Sequence, residues 1–69
     1  MSMTVWEILS LLENPATIAQ ALEAIAALPL QGSDRFLFEQ KRQKYSAGMT
    51  DYERWQWVQE MKVFLDRYR

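Results

Sequence analysis

Residues 50–69 read Thr-Asp-Tyr-Glu-Arg-Trp-Gln-Trp-Val-Gln-Glu-Met-Lys-Val-Phe-Leu-Asp-Arg-Tyr-Arg, and the fold turns on this stretch. Five of the chain's nine aromatic residues lie here, uninterrupted by Pro or Gly. Thr50 followed by Glu53 has the spacing of a capping box. The hydroxyl accepts from the Glu53 amide, and the carboxylate accepts in return from the Thr50 amide. Asp51 and Glu53 stand in the first turn and Arg67 and Arg69 in the last, the charge order a helix dipole favours. The stretch therefore predicts one helix, about 30 Å long at about 1.5 Å per residue.

Placed at about 100° per residue, Trp57, Val58, Met61, Phe64, Leu65 and Tyr68 share one side of this helix, wide enough for a core-facing stripe. Tyr52, Trp55 and Val63 fall on another side, grouped around Gln59. A helix with one buried face does not need a Trp on its back. Either a second element of the chain covers that side, with Trp6 or Leu11 of the first helix as the covering residues, or a partner does.

Working outward, Ala47-Gly48-Met49 is a short connection with Gly48 placed as a helix C-cap. Before it, a third helix is predicted from about residue 34 to 46, capped by Ser33 or Asp34. Leu37, Phe38 and Tyr45 share its inward face with the stem of Lys41, while Phe36 points elsewhere. Pro29-Leu30-Gln31-Gly32 is a loop. A second helix runs from Pro15 to about Leu28, with Ile18, Ala21, Leu22, Ile25 and Leu28 on one face and six alanines that allow close helix approach. Asn14-Pro15 is its N-cap and first position. Thr4 and Glu7 form another capping box, opening a first helix through Leu12 that is apolar nearly all round. Residues 1–3 precede that cap and read as frayed. Connections this short join antiparallel neighbours, so the expected fold is all-α: one compact domain over residues 1–69, of four helices with the last as its spine.

Composition excludes several function classes. The chain has no Cys and no His. It therefore lacks thiolate chemistry, disulfide staples and the usual neutral-pH base and metal ligand. Its acids are scattered, each with a capping or solvation role, and no Gly-rich phosphate loop is present. The sequence thus predicts no catalytic residues, no cofactor and no metal. No apolar run approaches the ~20 residues needed to span a bilayer, and no basic segment precedes the apolar start. The expected setting is the cytoplasm, away from membranes.

The net charge of −1 argues against a general polyanion binder, yet its sign is unevenly spread. Residues 1–32 carry −3 and residues 33–69 carry +2. Arg35, Lys41, Arg42 and Lys44 form the candidate phosphate-contacting set for nucleic acid. The competing reading is that these cations complement the dipole at a helix end and pair with Glu39. Residues 41–58 have the outline of a helix-turn-helix. Lys44 and Arg54 occupy positions that motif keeps small or apolar, and Asp51, Glu53 and Glu60 would repel phosphates. The leading expectation is a non-catalytic interaction module, an adaptor, inhibitor or assembly factor. It would contact another protein, or a second copy as a homodimer, through Tyr52, Trp55, Gln59 and Val63. Nucleic-acid binding by the basic third helix is the alternative.

Overall fold

The computed structural model describes residues 3–69; Met1 and Ser2, read above as frayed, lie outside the described residues. The fold is all-α, with α1 (Val5–Leu12), α2 (Ile18–Ala26), α3 (Gly32–Lys44) and α4 (Asp51–Leu65). Two 3-10 turns, Pro15–Thr17 and Asp66–Tyr68, lead into α2 and follow α4. The described residues have a radius of gyration of 11.3 Å, against about 11 Å for a compact chain of this length. None of their helices is long and apolar enough to cross a membrane.

Both expected capping boxes form. Thr4 accepts from the Glu7 amide at 3.2 Å, and Thr50 from the Glu53 amide at 3.1 Å. The Glu53 carboxylate accepts from the Thr50 amide at 2.9 Å. Hydrogen bonds from the Thr50 backbone and hydroxyl hold the Glu53 carboxyl below its ordinary range.

The second helix differs from its expected form, because Pro15–Thr17 is a separate 3-10 turn. Asn14 does cap it, accepting from the Ala16 amide at 2.9 Å. The Thr17 hydroxyl then donates to the Leu11 carbonyl at 2.6 Å, satisfying an orphan acceptor at the end of α1. That bond tightens the turn before α2 begins. At the other end α2 stops at Ala26, short of Leu28, since Pro29 disfavours helical backbone before it.

The third helix also shifts. It starts at Gly32 with Gln31 as N-cap, so neither Ser33 nor Asp34 is the cap. Asp34 is instead buried in the first turn, bonded to Arg67 and Tyr68. The helix ends at Lys44 because Tyr45 turns extended, with φ −73° and ψ 130°. Gly48 is therefore no C-cap, and its φ is not positive.

The core is drawn from all four helices. Ile8, Ala21, Ile25, Phe38, Met61 and Leu65 have no exposed surface. The predicted α4 stripe is the inward one: Trp57, Val58, Met61, Phe64 and Leu65 are buried, and Tyr68 is half-buried. α3 meets α4 through bulky rings. Phe38 stacks with Phe64 at 6.4 Å, and Tyr45 lies against Trp57 at 4.7 Å. Trp57 Nε1 donates to the Lys41 carbonyl at 2.7 Å, fixing one helix against the other. Rings of this size hold the two helices apart at the surface, and a groove opens between them.

Candidate interaction surface

The spacing of Tyr52, Trp55, Gln59 and Val63 places them along the outward side of α4, opposite the buried stripe. Tyr52 is 66% exposed, Trp55 58% and Val63 69%, whereas Trp57, two positions from Trp55, is 3% exposed. Helix α1 leaves this side open: Trp6 is itself 65% exposed, and the Arg69 guanidinium lies 5.1 Å from its ring centroid. Tyr52 and Trp55 stack on each other, with centroids 6.3 Å apart and ring planes at 22°. Gln56 Nε2 donates to the Tyr52 hydroxyl at 3.2 Å, which steadies that ring.

Gln59, half-buried, lines two depressions that flank the helix. One, of about 250 Å³, lies toward α1 and the Pro15 turn, and Leu12, Ile18, Trp55 and Val58 line it. The other is the α3–α4 groove, of about 370 Å³, walled by Leu37, Lys41, Val63 and Phe64. Trp55 thus borders one depression and Val63 the other, with Gln59 between them. Leu37, expected on the inward face beside Phe38, is 39% exposed and forms the far wall of the groove. Phe36 is 64% exposed. The apolar surface is therefore broader than the α4 stripe. No sequence signal separates Leu37 from a core residue, because its exposure follows from the spacing of α3 and α4.

Charged groups edge this surface. Arg54 pairs with Asp51 at 2.5 Å, Lys41 lies 3.8 Å from Glu60, and Lys62 pairs with Glu13 of the segment after α1. Such exposed pairs contribute at most about 1 kcal/mol each. They mark a polar rim around an apolar strip.

The basic set is dispersed. Arg35 donates to the Ala26 and Leu28 carbonyls at 3.3 and 3.0 Å, closing the end of α2. Arg42 pairs with Glu39 at 2.9 Å, its guanidinium 5.9 Å from the Phe38 ring centroid. Lys44 falls nearly opposite Arg42 around α3 at about 100° per residue.

Compared with protein-family models, curated proteins and solved structures, the chain matches none of them.

Proposed function

We propose that the chain is a non-catalytic interaction module that binds another protein, or a second copy of itself, through the outward face of α4. Adaptor, inhibitor and assembly-factor roles all fit such a module. The observation that carries the reading is the contrast on one helix between a complete buried stripe and a second, exposed apolar strip of Tyr52, Trp55 and Val63. Contiguous apolar surface with a polar rim is the composition of protein contact sites. Trp and Tyr bring large area at low entropy cost and dominate the energetics of such sites. Gln59, between the two depressions, would supply directional hydrogen bonding. Arg35, Lys41 and Arg42 each have a partner within the protein, which favours this reading over phosphate binding.

The test is affinity capture from the native host, run with the wild-type chain and with Trp55→Ala, beside light scattering of both. A partner or a dimer present with the wild type and weakened at least tenfold in the variant supports the proposal; an interface Trp is commonly worth ~2 kcal/mol or more. A partner retained equally by a folded Trp55→Ala chain sinks it.

A further inference from the structure

Asp34 is the buried charged residue among those described, with 6% of its surface exposed. It stands in the first turn of α3, where free backbone amides favour an anion. Its side-chain partners come from elsewhere. Arg67 Nη1 donates to Oδ1 at 2.6 Å, and the Tyr68 hydroxyl donates to Oδ2. Both donors belong to the 3-10 turn Asp66–Tyr68. The same Tyr68 oxygen accepts from the amide of Gln31, the N-cap of α3, at 3.4 Å.

This small network holds a cover in place. The Tyr68 ring lies against Phe64, with centroids 6.0 Å apart. Phe64, 6% exposed, is also a wall of the α3–α4 groove, and Arg67 borders the same groove. The rest of the turn is lightly held. Asp66, Arg67 and Arg69 are exposed, an Asp66–Arg69 pair at 2.9 Å is local, and Arg69 lies over the exposed Trp6 ring of α1. Segments with few buried contacts open at lower free energy than the core beneath them.

We propose that the Asp66–Tyr68 turn is a latch keyed by Asp34. Closed, it covers Phe64 and bounds the α3–α4 groove at Arg67. Open, it bares the Phe64 ring and extends the groove toward Phe38. One carboxylate receives both donors, so Asp34→Asn removes the charge that Arg67 pairs with and leaves one acceptor oxygen in place of two. The phenol adds an alkaline release. Donation to Asp34 stabilises the protonated form and raises Tyr68 above the ordinary tyrosine value. The charged groups facing it are Asp34 from α3 and Arg67 from its own turn. A raised acid of this kind supports the closed form below the unfolded tyrosine value of about 10 and loses that support as pH rises through the higher folded value.

The latch is independent of what α4 binds, so the 69-residue chain alone suffices to test it. Backbone order parameters from NMR relaxation are the readout, with the Tyr68–Phe64 ring NOE beside them. In Asp34→Asn, residues 66–68 should fall below about 0.6, well under their wild-type values, while residues 57–65 stay near the rigid value of about 0.85. In the wild type the ring NOE should weaken as the Tyr68 phenol titrates, and Tyr68→Phe should abolish that pH-dependent step. Unchanged order at residues 66–68 in Asp34→Asn overturns the latch. So does loosening or unfolding of α4 along with the turn, since the contact would then be part of the core.

Discussion

Two tryptophans two positions apart on α4 have opposite surroundings, and the difference is chemical as well as steric. Trp57 is enclosed, lies tilted against Tyr45, and spends its one N–H on the Lys41 carbonyl at 2.7 Å. Trp55 shares its ring face with Tyr52 and is otherwise largely in water. Phe64 resembles Trp57: it sits between Phe38 and Tyr68, with 6% of its surface exposed. Truncating such a ring removes transfer free energy and leaves a cavity, so Phe64→Ala should destabilise by about 3–5 kcal/mol. In a domain this small that is much of the total stability. Urea melts check it; a loss below about 1 kcal/mol would mean that the ring is not held as described.

At the scale of elements, helix starts carried by neighbouring residues were legible and those carried by distant ones were not. Thr4 with Glu7 and Thr50 with Glu53 lie three positions apart, so pattern and contact coincide. Asp34 has the residue type of a cap, but its partners Arg67 and Tyr68 lie 33 and 34 positions away, and no local spacing reveals them. Gly48 has the residue type of a C-cap without the role, because the extended backbone of Tyr45 ends α3 before it. The buried side of α4 was readable from its 3.6-residue period. Whether α1 covered the other side was not, since that depends on how α1 packs. The α4 cap gives a prediction of its own. Thr50→Ala should cost about 1 kcal/mol near neutral pH. The depressed Glu53 value means that the carboxylate's share of the cap is present above the unfolded glutamate value of about 4.3 and lost as pH falls through the lower folded value. Melting temperatures of wild type and Glu53→Ala should therefore converge in acid, whereas Thr50→Ala, which loses the hydroxyl acceptor for the Glu53 amide, keeps most of its deficit. A Glu53→Ala gap that stays constant or widens in acid would contradict the capping-box assignment.

On the scale of the whole molecule, a small core is complete without the outward side of α4. Ile8, Ile25, Phe38, Met61 and Leu65 close on one another from four helices, and Tyr52, Trp55 and Val63 add little to that enclosure. Large apolar side chains kept in water by a chain this small are the basis for reading that side as a contact surface. The paired urea unfolding of Trp55→Ala and Trp57→Ala tests this most directly. Trp57→Ala should lose about 3–5 kcal/mol, as buried aromatic truncations do. Trp55→Ala should lose less than about 1 kcal/mol, as surface substitutions do. Equal losses at the two positions would show that Trp55 belongs to the core, and the interaction surface on α4 would lose its foundation.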